Sequence, residues 1–220
     1  MRHAILCAAL AAALLVHLVH SWTDDFPKRK KTKPLLVPLV GACYLAAARS
    51  VSWLLLIALF AAWLGDLLLM RENDTFFTLG GICFLCMHAL FIAVYAPYVP
   101  RQPVGLAAAL PAAAVYALLA LLVMRRVWKN TPPLMRAPMV LYLLTNAAMN
   151  TMALMILLAR PALGSALAYA GAALFFASDC MLYLVDYGGR RKELRGYFFV
   201  MLTYVPGIFF IAEGVAGFGA

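Results

Sequence analysis

VSWLLLIALFAAWLGDLLLM, residues 51–70, carries no charge in its first fifteen positions and then an aspartate, Asp66. Twenty residues of this kind match the length that an α-helix needs to cross a bilayer, about 20 with a range of 17–25. A carboxylate at the centre of such a helix costs about 2.5–3.5 kcal/mol on insertion scales. The run therefore sets the fold class and raises a functional question in the same breath.

The rest of the chain agrees with the run. Of 220 residues 66% are hydrophobic and 12% charged, and the mean hydropathy is +0.91. A soluble domain is about 45–50% apolar, so one globular core cannot hide this excess and the solvent must be lipid. The net charge of +9 would suggest nucleic acid in a soluble chain. Here the basic residues fall in short clusters between apolar runs, where they set membrane orientation instead, and nucleic acid is excluded as a partner. The five cysteines, Cys7, Cys43, Cys83, Cys86 and Cys180, all lie in apolar segments. They read as packing residues rather than a disulfide framework, the CxxC of Cys83 and Cys86 included.

Apolar runs at about 4–21, 34–49, 51–70, 76–97, 103–124, 137–159, 162–185 and 196–214 predict an all-α, polytopic membrane protein. It would be a bundle of about eight transmembrane helices, in one domain covering 1–220. The first run resembles a signal-peptide core but lacks a cleavage site and is followed by a basic flank, so it is expected to be retained. Fourteen of the eighteen Lys and Arg fall in the odd-numbered loops. Arg2, Arg49, Arg101 and Arg160 make up the other side. This bias predicts cytoplasmic odd loops and both termini outside.

With that topology, depths can be compared. Asp66 lies one turn from the cytoplasmic end of span three, and Asp179 in the cytoplasmic half of span seven. His88 sits mid-span in four, and Tyr204 two turns into span eight. Tyr142, Asn146 and Asn150 recur every four residues in span six and share one helix face. Intramembrane ionisable residues face the bundle interior and mark function by default. Asn146 and Asn150 have interhelical hydrogen bonding as an alternative use. His17 and His20, beside Trp22, are read as interfacial, and Asp186 and Glu213 as solvated near the boundaries. Two carboxyls in low dielectric suit acid catalysis through a cationic intermediate. They also suit a proton-coupled transporter, the alternative reading, which predicts interrupted helices around a midplane site. With a histidine they also suit metal ligation, but one intramembrane histidine is thin for zinc, and neither metal nor cofactor is expected.

"TKPL" at 32–35, "GDLLLM" at 65–70, "FLCMHALFIAVY" around His88, "GAALFFASDCML" at 171–182 and "TY" at 203–204 together resemble the lysoplasmalogenase family, the YhhN-like membrane proteins. The order and spacing match over nearly the whole chain. The last helix departs: the family commonly has a TYYxAQ-like run, whereas this chain reads "TYVPGIFF", with Val205 and Ile208 at the altered positions and Pro206-Gly207 expected to bend the helix.

The resemblance implies hydrolysis of the vinyl-ether bond of a lysoplasmalogen, releasing a fatty aldehyde and glycerophosphocholine or glycerophosphoethanolamine. Asp66 and Asp179 would be catalytic. His88, Asn146, Tyr204, Tyr142 and Asn150 would orient substrate or water, and Lys33 would receive the phosphate. The partners implied are a lysophospholipid and the bilayer of a bacterial inner membrane or a eukaryotic endomembrane.

Overall fold

The computed structural model describes residues 1–71, 73–100 and 103–219. Arg101, one of the four basic residues assigned to the sparse side, lies outside them. Among the described residues eight α-helices run in chain order: α1 Arg2–Trp22, α2 Phe26–Ala47, α3 Trp53–Leu69, α4 Asp74–Tyr95, α5 Pro103–Val127, α6 Pro133–Ala159, α7 Leu163–Asp186 and α8 Phe198–Ala216. No strand occurs among the described residues. The protein is an all-α polytopic membrane bundle. Among the described residues six helices are long and apolar enough to cross a membrane. α3 is shorter at 17 residues, about 25 Å at 1.5 Å per residue.

α3 shows why lipid is the solvent. Its inner stripe is Leu55, Ala58, Leu59, Ala62, Gly65 and Asp66, all buried. Its outer stripe is Trp53, Ile57, Phe60 and Leu64, all exposed. Both stripes follow helical spacing and both are apolar, and the one charge lies on the inner stripe. In water the polarity would run the other way.

α2 begins at Phe26, well before the apolar run that starts at 34. Asp25 caps it, its carboxylate accepting the Lys28 N–H at 3.2 Å. The Lys28 ammonium at 2.8 Å holds the Asp25 carboxyl below its ordinary value. The early start places Lys28 to Lys33 on helix rather than loop. Pro38 lies inside α2 and has no N–H for the carbonyl four residues back. That carbonyl, of Pro34, instead accepts the Trp63 indole N–H at 3.0 Å, joining α2 to α3.

Short connections make sequential helices antiparallel, and side-chain contacts identify the two ends of the bundle. At the basic end Trp22 packs on Phe198 with ring centroids 5.0 Å apart, and the Asn130 amide donates to the Tyr187 carbonyl at 2.8 Å. At the other end His3 meets Glu213 at 3.1 Å, and Tyr98 packs on Phe218 at 4.7 Å. Glu213, expected to be solvated, has a side chain only 14% exposed, because the N-terminal helix covers it. α2, α3, α4, α6, α7 and α8 enclose the centre, while α1 and α5 flank it.

α7 and α8 form the most intimate pair. A Cβ on Gly171 would stand 2.5 Å from the Gly207 carbonyl oxygen, and one on Gly214 2.5 Å from the Ala168 nitrogen. Small residues let membrane helices approach backbone to backbone, where dispersion replaces the missing hydrophobic drive. The expected bend at Pro206-Gly207 does not interrupt α8, which is continuous from Phe198 to Ala216. Gly207 is used for contact with α7. Gly171→Ala is expected to lower stability by about 1–3 kcal/mol, the usual range for overpacking. Gly81→Ala, whose Cβ meets nothing within 4 Å, is expected to be neutral or stabilising. Thermal unfolding of the two variants in detergent checks the contrast.

Candidate active site

The motifs singled out by sequence converge because each places one polar side chain on an inward face. In "TKPL", Thr32 Oγ1 lies 2.7 Å from His17 Nδ1. Lys33 Nζ donates to Asp66 Oδ1 at 2.9 Å. In "GD", Gly65 lets α4 approach, since a Cβ there would stand 2.8 Å from the Phe84 ring. In "SD", Ser178 Oγ donates to the Val200 carbonyl at 3.1 Å, fixing α7 against the start of α8 and turning Asp179 towards α6.

Asp66 and Asp179 have unlike surroundings. Asp66 is buried to 2% exposure, between the Lys33 ammonium on Oδ1 and the Tyr204 hydroxyl, which donates to Oδ2 at 2.8 Å. Asp179, also buried, accepts from Tyr142 OH at 3.0 Å and Asn146 Nδ2 at 2.6 Å, both on Oδ2. The Asn146 amide is itself oriented by Asn150 Nδ2, which donates to Asn146 Oδ1 at 2.8 Å. The stripe read on span six is thus a relay of donors ending on Asp179. His88 is fully buried, and its Nδ1 is 2.8 Å from the Phe84 carbonyl. That carbonyl only accepts, so Nδ1 carries the proton in this arrangement. Nε2 stands 3.7 Å from Asp179 Oδ2, beyond hydrogen-bond reach, and has no hydrogen-bond partner among the described residues.

Aromatic rings bridge the two carboxyls. Phe84 packs on Tyr204, Tyr204 on Phe175, Phe175 on His88 and His88 on Tyr142, all edge to face with centroids 4.9 to 6.0 Å apart. A cavity of about 230 Å³ is lined by Asp66, Asp179, Tyr142, Tyr204 and Lys33, and runs to the basic end past His17, Arg29, Lys30, Asp186, Arg191 and Tyr197.

All eight residues chosen from the sequence thus belong to one connected network, five of them on the cavity wall. Lys33 is bound to Asp66 rather than free at the mouth. His17, read as interfacial, is 1% exposed because α2 covers it. Asp186, read as solvated, is half-buried and accepts from Tyr197 OH at 2.6 Å. Burial, together with the Asp186 carboxylate, pushes the Tyr197 phenol up, so it stays a donor. Arg29, Arg191, Asp24 and Tyr197 were not selected. Arg29, Arg191 and Asp24 lie in basic stretches that read equally well as orientation signals, and Tyr197 carries no charge to mark it at the start of the last apolar run.

The profile of the YhhN family matches residues 29–215, from the second turn of α2 to the last turn of α8. The chain belongs to the YhhN family. No curated protein and no solved structure matches it. The match covers the helices that carry Lys33, Asp66, Tyr142, Asp179 and Tyr204 in this YhhN-family protein, and leaves out α1, which carries His17.

Because Asp66 is buried with its cation, Lys33→Met is expected to cost about 3–5 kcal/mol, the range for removing one partner of a buried pair. Asp66→Asn combined with Lys33→Met is expected to recover a large part of that loss. Thermal unfolding of the two single variants and the double variant measures the coupling. A double variant no more stable than Lys33→Met alone would mean that the pair does not join α2 to α3.

Proposed function

We propose that this protein is an intramembrane hydrolase of the vinyl-ether bond of a lysoplasmalogen, with Asp179 as the acid and Asp66 as the carboxylate that directs water. The observation that carries the reading is the unequal partnering of two carboxyls on one cavity wall. Asp66 has an ammonium at 2.9 Å, whereas Asp179 has only neutral hydrogen-bond donors at contact distance. A buried carboxylate is retained when a cation pairs it, and a carboxyl without one is cheaper as the neutral acid. Both donors converge on Asp179 Oδ2, which leaves Oδ1 to hold the proton. YhhN membership is consistent with this activity.

The chemistry follows from those roles. Asp179 gives its proton to the β carbon of the vinyl ether, and the π pair of the C=C bond forms the new C–H bond. The α carbon and its ether oxygen become an oxocarbenium ion, which the Asp179 carboxylate left behind stabilises. Water adds to the α carbon and loses a proton towards Asp66. The hemiacetal bond to the glycerol oxygen then breaks with its electron pair going to that oxygen, which takes the proton held by Asp66, while the hemiacetal O–H pair becomes the aldehyde C=O and its proton goes to Asp179. A fatty aldehyde and a glycerophospho-base leave. Asp179 is then protonated again and Asp66 ionised again, so the cycle consumes one water and no net proton.

The cavity size also bears on the substrate. About 230 Å³ is below the usual 300–1,000 Å³ of a pocket that swallows a whole drug-sized ligand. It accommodates a glycerol and its vinyl ether, while the single tail stays in the bilayer between helices. The Lys and Arg bias supports a cytoplasmic mouth.

Asp179→Asn and Asp66→Asn are each expected to lower aldehyde release from lysoplasmalogen by about 10²–10⁴-fold, the range for a lost general acid or base. In D2O the aldehyde is expected to carry one deuterium on carbon 2, because the proton goes to carbon. An ester lysophospholipid has no carbon of this kind and should bind without turnover. Wild-type release by both Asn variants would overturn the mechanism.

A further inference from the structure

The mouth of the cavity holds a cluster that the proposed chemistry does not use. Asp24 ends the α1–α2 turn with a left-handed backbone, φ 52°, a conformation that Asp tolerates better than most residues. This turn aims its carboxylate back over the cavity. Arg29 Nη1 donates to Asp24 Oδ1 at 2.9 Å. Arg191 Nη2, from the α7–α8 loop, donates to both oxygens at 3.3 and 3.1 Å. Both guanidiniums also face the Tyr197 ring, at 4.8 and 5.3 Å from its centroid. Arg29 is firmly seated at 11% exposure, whereas Asp24 and Arg191 are about half exposed, at 49% and 52%. An ion pair as exposed as Arg191–Asp24 contributes little to stability, so exchanging the carboxylate for another anion is inexpensive.

We propose that Arg29 and Arg191 form a clamp for the phosphate of a lysophospholipid, and that Asp24 is the resident carboxylate which this phosphate displaces. Planar guanidiniums bind phosphate and carboxylate oxygens with the same forked geometry, so one site serves both. Position supports the assignment. Arg29 lies one turn above Lys33 on α2, and Asp186, bonded to Tyr197, lies two turns above Asp179 on α7. Seven residues at 1.5 Å each put the cluster about 10 Å above the acid. In a lysoplasmalogen seven bonds separate the phosphorus from the β carbon of the vinyl ether, about 8–9 Å when extended. A phosphate at the clamp thus puts that carbon at the depth of Asp179. The lipid's identity rests on the hydrolase reading above; the anion site rests on the arginine geometry alone.

The test uses equilibrium binding to the purified full chain in detergent. The probes are lysophosphatidylcholine, the monoacylglycerol of equal chain length, which lacks phosphate, and glycerophosphocholine, which lacks the tail. Wild type is expected to prefer lysophosphatidylcholine over monoacylglycerol by about tenfold or more, as charge-assisted pairs give. Arg29→Gln and Arg191→Gln should abolish that preference and leave monoacylglycerol binding unchanged. Asp24→Asn, which removes the competing carboxylate, should tighten lysophosphatidylcholine binding several-fold. A merely structural ion pair predicts instead that Asp24→Asn and Arg191→Gln weaken both lipids alike, and that outcome overturns the clamp. Glycerophosphocholine competing as well as the lipid would overturn the lipid assignment. None of these readings uses turnover. A wild type that binds with phosphate preference but releases no aldehyde would end the hydrolase reading and leave the clamp standing. Intact aldehyde release without phosphate preference would do the reverse.

Discussion

In lipid every buried polar group must find its partner inside the protein, because no water is present to take its place. The Lys33–Asp66 pair is where this constraint acts most strongly. A carboxylate 2% exposed fixes the height of α2 against α3, since its cation comes from α2 and from no other helix. Tyr204 adds α8 to the same carboxylate. Three helices, two of them neighbours in sequence and the third more than a hundred residues away, are therefore held in one register by a single side chain. The Trp63 indole on the Pro34 carbonyl repeats the device at the next residue of α2 and about one turn away on α3, using a carbonyl that Pro38 set free.

The second half of the site is assembled differently. Asp179 is placed by backbone proximity: Gly171 and Gly207 let α7 and α8 touch, and Ser178 ties them at the Val200 carbonyl. The donors on α6 then reach Asp179 from the other side. The aromatic chain from Phe84 to Tyr142 fills the space between the two carboxyls. One carboxyl thus has a cation and the other has neutral donors. That asymmetry is what the proposed division into an acid and a water-directing partner rests on.

Much of the site was legible because lipid makes polar residues conspicuous. Asp66, His88, Asn146, Asn150, Asp179 and Tyr204 stand out against Leu, Ala and Phe, and a helix repeat suffices to compare their depths. Lys33 was legible as a charge near the site but not as the partner of Asp66, since the apolar run starts at 34 and the helix starts at Phe26. The mouth was harder to read. Arg29 and Arg191 sit in segments where any basic residue satisfies the orientation rule, and Asp24 looks like a loop residue. Their meeting depends on how two loops far apart in sequence fold over the same cavity.

The sequence by itself determined the solvent, the helix count and the set of polar residues that cannot face lipid, because hydropathy and helical period are local properties. Family membership was likewise written in local motifs. Tertiary structure alone decided which carboxyl received a cation, that His17 and Asp186 turn inward, and that Pro206-Gly207 packs rather than interrupts. Each of those depends on which helix stands beside which. Between helices in a bilayer that choice is made by close contact and hydrogen bonds, which composition and periodicity do not encode.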